Sequence, residues 1–319
     1  VLIRFSLPLI ISGILQQLYN WADAFIVGHA VGESALAAVG ATTTLSNLIV
    51  QFLMGMCNGF AIISAQCFGA KDMDRLRRSL GNSLVLGLLA AVVLTIGGLV
   101  FLQPILRFLN VPENLLNTAT QYVSVIIAGL VVTLLYDVLA ATLRAIGDTV
   151  TPLIVLAVSV VLNIGGDLLL IVVLHMGVLG AAVATVLSQL IAVVVCAVYL
   201  WEKYEILRIR VDDLKLQDAG MLRNMLSSGL SMGFMSSLVN IGTLTLQTSI
   251  NRLGQNIIIA HTAARKISEI FMIMFSVFGQ TMATYCGQNL GAGKIERIRR
   301  GILLATGYTC IWCTLSAVA

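Results

Sequence analysis

Charge is what this sequence has least of. Its 319 residues include 19 Lys and Arg and 15 Asp and Glu, so 11% of the chain is charged, less than half the ~25% usual in a soluble globular domain. A folded soluble protein needs polar surface to face water, and this chain cannot supply it. The shortage excludes a cytosolic enzyme, a secreted module and a disordered chain together. Apolar residues make up 58% of the chain and the mean hydropathy is +0.97, which leaves an all-α integral membrane protein of many spans.

Other absences narrow the chemistry. The six Cys lie mostly inside apolar stretches without an even framework of loop spacings, so no disulfide scaffold is expected. Cys310-Ile311-Trp312-Cys313 has no second pair and reads as packing. His29, His175 and His261 stand apart and form no metal-ligand spacing. Neither a nucleophile elbow nor a metalloprotease helix occurs, so no enzyme is expected. Gly291-Ala292-Gly293-Lys294 has the look of a phosphate loop, but Ile295 stands where Ser or Thr is needed and no strand precedes it. No ATP site or other cofactor is expected, and uphill work would have to draw on an ion gradient. The basic residues cluster in short loops, a topology signal rather than a nucleic-acid footprint.

About 20 apolar residues cross a bilayer's ~30 Å of hydrocarbon. That rule predicts nine spans, near 7–28, 35–67, 79–103, 119–143, 152–174, 178–201, 228–251, 257–286 and from 301 onward. With the N-terminus in the cytoplasm, 15 of the 19 Lys and Arg fall on the inner side; only Arg107 and Arg252 fall outside. The polar stretch 202–224 reads as a cytoplasmic linker between a six-span lobe, 1–201, and a three-span lobe, 225–319. Gln66-Cys67-Phe68-Gly69-Ala70, followed by Arg75-Leu76-Arg77-Arg78, recurs as Gln288-Asn289-Leu290-Gly291-Ala292, followed by Arg297-Ile298-Arg299-Arg300, offset by 222 residues. The same offset aligns Gly32 with Gly254. Each copy closes a long span and opens a basic loop, so the repeat is parallel, with a pseudo-twofold along the membrane normal. Six spans would complete the second lobe. The expectation is therefore a fragment that starts at Val1 and stops at Ala319 inside an apolar run.

An acid at the centre of a span costs about 2.5 to 3.5 kcal/mol by translocon scales, so each needs a reason. Asp23 shares an arc of about 100° on the first span with Gln16, Tyr19 and Asn20. Asp167 follows Asn163 by four residues and Ser159 by eight, one face of the fifth span. The sixth span answers with Thr185, Ser188 and Gln189. Counted from the outer ends, Asp23, Asp167 and Thr185 all lie about 8 to 10 Å deep. Two carboxylates with Asn and Thr oxygens nearby suit a small cation such as Na⁺, and equally a proton. Asp137, two turns above Arg144, reads as structural. Glu269 follows Arg265 by four residues and Lys266 by three, so it either closes an intrahelical ion pair or lines a path from the second lobe.

These residues resemble the multidrug and toxic compound extrusion family. The likeness rests on Leu7-Pro8, on Asp23 followed by Phe25-Ile26-Val27-Gly28, and on the Gln66-to-Arg78 helix end and loop. Arg144-Ala145-Ile146-Gly147-Asp148-Thr149-Val150-Thr151-Pro152, Asn163 with Asp167, and Gly180-Ala181-Ala182-Val183-Ala184-Thr185 complete it. The resemblance implies a V-shaped transporter of two six-helix lobes in the plasma membrane. It implies export of organic-cation or amphipathic drugs in exchange for Na⁺ or H⁺. By family position, Asp23, Asn163, Asp167 and Thr185 would hold the coupling ion. Gln16, Tyr19, Asn20, Tyr122 and Gln189 would line the cavity, with Asn240, Thr243 and Glu269 facing it from the second lobe. Some members carry an acid on the seventh span, where Asn240, Thr243, Gln247 and Asn251 are neutral; this favours the branch of the DNA-damage-inducible exporters. The alternative, a lipid-linked-oligosaccharide flippase of the same superfamily, would bring a more cationic cleft and fourteen spans.

Overall fold

Among the residues described by the computed structural model, 2–108, 111, 113–250 and 255–318, every regular element is helical. For some positions within these helices only the backbone is described. Asn251, Arg252 and Gly254 lie outside the described residues, as do the side chains of Gln247 and Lys266. The helices are α1 (Leu2–Ala30), α2 (Glu33–Gly69), α3 (Met73–Phe108), α4 (Glu113–Ala128), α5 (Leu130–Ala145), α6 (Val150–Asp167), α7 (Val178–Lys203), α8 (Ala219–Ile250), α9 (Gln255–Gly291) and α10 (Ile295–Val318). Helices suit such a chain because lipid offers nothing to hydrogen-bond a peptide group, so each segment must satisfy its own backbone.

Six of these helices have spans long and apolar enough to cross a membrane, and α4 with α5 forms a seventh, bent by 43°. The nine expected spans are not reached by this measure. α8 and α10 occupy the stretches expected near 228–251 and from 301 onward, but α8 interleaves Ser, Thr, Asn, Gln and Gly with its apolar residues. Large apolar side chains such as Val93 (68% exposed) and Leu303 (74%) face outward, a surface suited to lipid rather than water. The buried core gathers Leu53 and Phe60 of α2, Leu76 and Leu80 of α3, and Leu134 and Leu143 of α5; Met221 and Met225 of α8 join it.

The bend in the fourth expected span has a local cause. At Gly129 the backbone approaches α7 so closely that an added Cβ would lie 2.5 Å from a Val186 methyl. The Thr95 hydroxyl of α3 donates to the Ile127 carbonyl at 3.1 Å, satisfying an acceptor beside the break.

The 202–224 stretch is not a free loop. It folds into 3₁₀ turns at Glu205–Leu207 and Val211–Leu214, and α8 starts already at Ala219, where Asp218 caps it by accepting the Met221 N–H at 2.9 Å. Asp213 is buried and accepts from Arg77 Nε at 2.6 Å and from the Arg210 N–H at 2.8 Å. Gly81 of α3 lets this turn settle, since a Cβ there would overlap the Asp213 carbonyl. Near the start of α6, Asp148 accepts the Thr151 N–H at 3.0 Å and the Thr151 hydroxyl at 2.8 Å. Burial alone would push the Asp148 carboxyl up, but these bonds and the Tyr204 hydroxyl outweigh it and hold the group below the usual carboxylate range.

Both copies of the 222-residue repeat end their helix in the same turn. Lys71 N–H donates to Phe68 O and Asp72 N–H to Cys67 O; Gly293 N–H donates to Leu290 O and Lys294 N–H to Asn289 O. Lys71 and Gly293 both take positive φ, 60° and 69°, the left-handed helix cap. The Gly291-Ala292-Gly293-Lys294 segment is thus a helix terminus.

Asp213 yields a test. Its burial alone would raise its pKa, but Arg77 and the Arg210 amide hold the carboxyl below the usual range. Its stabilisation is therefore complete above the unfolded value of about 3.9 and is lost as pH falls through the lower folded value. Asp213→Asn should cost about 3 kcal/mol at pH 7, as for one member of a buried pair. Thermal unfolding in detergent should show wild type losing this margin only below about pH 4, with the variant's curve flatter there.

Candidate functional site

The stripe expected on α1 is present. Tyr19 and Asp23 turn inward while Gln16 and Asn20 are exposed. Opposite stands the end of α6, where Asn163 and Asp167 are both fully buried, 0% exposed. α7 returns alongside α6, and the two pack closely because Gly166 brings its backbone within van der Waals reach of Ala184.

Directly after Asp167 the helix widens into a π turn, Leu168–Val173. Leu174 N–H reaches back to Leu169 O at 3.0 Å and Met176 N–H to Leu170 O at 2.9 Å. Such widenings recur at functional sites because they re-aim neighbouring side chains. The chain then turns through His175 and Gly177, both at positive φ, and enters α7.

The Asp23 and Asp167 carboxyls meet within hydrogen-bonding reach of one another across the α1–α6 contact. Asn163 stands behind Asp167. With its amide oriented to satisfy both ends, Nδ2 donates to Asp167 Oδ2 at 3.1 Å and Oδ1 accepts from the Thr185 N–H at 3.2 Å. The Tyr19 hydroxyl bonds Thr185 Oγ1 at 3.0 Å, tying α1 to α7. Tyr122 of α4 sits close enough to feel both acids and Tyr19 electrostatically.

Two oxygens, Asp23 Oδ1 and Asp167 Oδ1, are buried without a hydrogen-bond partner. Two carboxylates in contact repel unless something positive lies between them, and their orphaned oxygens are acceptors only. The arrangement fits one small hard cation or one shared proton. Asn163 uses its donor end to orient Asp167.

Of the other expected residues, some are drawn elsewhere. Gln189 Oε1 accepts from Thr133 Oγ1 at 2.6 Å, a partner 56 residues earlier that no pattern in the sequence marks. Asn240 and Thr243 bond their own helix, to Ser236 O at 3.0 Å and Val239 O at 2.9 Å. Glu269 pairs with Arg265 Nε at 3.3 Å, the intrahelical alternative. Asp137 has Arg144 as its electrostatic neighbour on α5, while the Arg144 guanidinium donates to Asn58 Oδ1 at 3.4 Å.

The fold is that of a multi-pass membrane protein, helical throughout its described regular elements, with two carboxyls held together among its helices. The family model described as MatE matches residues 8–169, and the chain belongs to that family. It is similar to the "Probable multidrug resistance protein YoeA" of Bacillus subtilis (strain 168), 28% identical over 306 residues, covering 93% of this chain and 66% of that protein. It is similar also to "DNA damage-inducible protein F" of Escherichia coli (strain K12), 25% identical over 289 residues, covering 90% of this chain and 62% of that protein. The chain thus spans about two thirds or less of these relatives. Among solved structures, the outward-facing conformation of a multidrug resistance MATE family transporter of the MOP superfamily matches with a TM-score of 0.90 at 25% identity, over 98% of this chain and 69% of that one.

The Tyr19–Thr185 bond can be isolated by a double-mutant cycle. Thr185→Val strands a largely buried phenol and should cost about 1 to 2 kcal/mol. In a Tyr19→Phe background the same change should cost less than half of that. Thermal denaturation of the four purified proteins measures it; additive losses would mean that the bond does not couple α1 to α7.

Proposed function

We propose that the parent protein is a secondary antiporter that exports organic-cation or amphipathic drugs across the plasma membrane in exchange for Na⁺ or H⁺. The observation that carries this reading is the contact between Asp23 and Asp167, each with a buried oxygen left unpaired. Isolated acids at membrane depth mark ion pathways because their cost must be met by a guest. The printed names of the relatives, multidrug resistance and multidrug export proteins among them, support the drug side.

In this reading residues 1–201 form one lobe and 225–319 the beginning of a second, joined by the docked 202–224 stretch. The N-terminus and basic loops face the cytoplasm, so the acid pair opens toward the outside. A cation or proton arriving from outside would neutralise the pair and let α1 settle closer to α6 and α7. Gln16, Tyr19, Asn20 and Tyr122, with Gln189, Asn240, Thr243 and Glu269 further along, would offer the drug a mixed aromatic and polar path. Repacking of α1 would then lower affinity for the drug and release it. Coupling requires only that the ion bind the two conformations with different affinity. Asn163 and Thr185 would serve by holding Asp167 and Tyr19 in register.

The full-length protein in proteoliposomes tests the whole scheme. An imposed inward gradient should drive drug efflux, and trials with Na⁺ and H⁺ separately identify the ion. Asp23→Asn and Asp167→Asn should each lower coupled efflux at least tenfold while leaving the protein folded. Wild-type rates in both variants would remove the acid pair from the mechanism.

A further inference from the structure

The search for a second working element leads to the opposite end of the molecule. Ser6 and Asp23 stand 17 residues apart on α1, about 25 Å along a helix, and around Ser6 the two copies of the repeat meet. Four helices cross there, α1 and α2 from the first copy and α8 and α9 from the second.

Their contacts obey the 222-residue offset reciprocally. A methyl on Gly69 would overlap the Gln288 carbonyl, and a methyl on its counterpart Gly291 would overlap the Gln66 carbonyl, itself the counterpart of Gln288. The Ser6 hydroxyl bonds Thr281 Oγ1 at 3.1 Å. Shifted by 222, that pair becomes Ser228 and Gly59, and there a methyl on Gly59 would overlap the Ser228 carbonyl. Such mutual correspondence is what a local twofold axis between α2 and α9 would produce.

Polar groups close the seam. Gln288 Nε2 donates at 2.7 Å to the carbonyl of Ala145, the last residue of α5, one of the acceptors that a helix end leaves open. Beside it lies a cavity of about 20 Å³ lined in part by Asn58, Arg144, Gln280 and Thr284, room for about one water.

We propose that this crossing is the inner gate of the transporter. In the present conformation the two glycine backbones, the Ser6–Thr281 bond and the Gln288–Ala145 bond shut the path to the cytoplasm; opening the gate parts α2 from α9 at Gly69 and Gly291. The proposal rests on the alternating-access reading above. It adds that the repeated Gln-x-x-Gly-Ala motif is kept in both copies because each glycine must admit the other copy's carbonyl. A side chain at either position therefore favours the open gate.

The test uses the full-length protein in inside-out vesicles, with native cysteines replaced by serine and Thr284→Cys probed by a membrane-impermeant maleimide. Gly69→Ala and Gly291→Ala should each speed labelling at least fivefold. Gly279→Ala on the same helix, where an added methyl meets nothing within 4 Å, should leave the rate unchanged. Equal rates in Gly291→Ala and Gly279→Ala overturn the gate, as does labelling only from the external face. If Gly291→Ala fails to fold, Gln288→Ala decides by itself: faster labelling supports the latch and an unchanged rate overturns it. Absence of drug efflux in wild type would sink the antiport reading yet leave this labelling contrast intact, so the two failures are separable.

Discussion

Hydrocarbon can neither hydrogen-bond a peptide group nor solvate a carboxylate, and most of this molecule follows from that constraint. It makes helices the only described elements, and it makes each departure from a plain α-helix carry its own compensation. The bend at Gly129 is accompanied by the Thr95 hydroxyl on the Ile127 carbonyl. The π turn after Asp167 keeps its backbone bonded by reaching one residue further back. The acids obey the same rule: Asp23 and Asp167 are gathered into one buried site instead of being scattered toward lipid.

Small residues provide the second theme. Without a hydrophobic drive between helices in lipid, close backbone approach supplies the packing energy. Gly166 against Ala184 seats α6 on α7 beside the acid pair. Gly55, Gly59, Gly229 and Gly233 let α2 and α8 interlock over several turns. Dispersion between backbones falls steeply with distance, so contacts this tight have few intermediate positions. Elements that move would be expected to part as units.

Much of this was legible beforehand. The stripe of Gln16, Tyr19, Asn20 and Asp23, and the shared face of Asn163 and Asp167, are matters of helical period, which survives any tertiary arrangement. Sequence could also equate depths, because rise per residue in a helix is constant. It could not say that Asn163 would turn its donor toward Asp167, that Gln189 would be captured by Thr133, or that 202–224 would dock on Gly81 and Arg77. The last two depend on contacts between residues many tens of positions apart, and the first on the Thr185 N–H of the next helix.

By itself, then, the amino-acid order determined the solvent this chain requires and which polar groups must find partners there. Those follow from transfer free energies and periodicity, which are local and additive. Only the tertiary structure decided which partners they found: an acid paired with an acid, and one glycine crossing its own repeat. The physical reason is that a helix face fixes direction but not neighbour, and the choice of neighbour is made by the packing of all the helices at once.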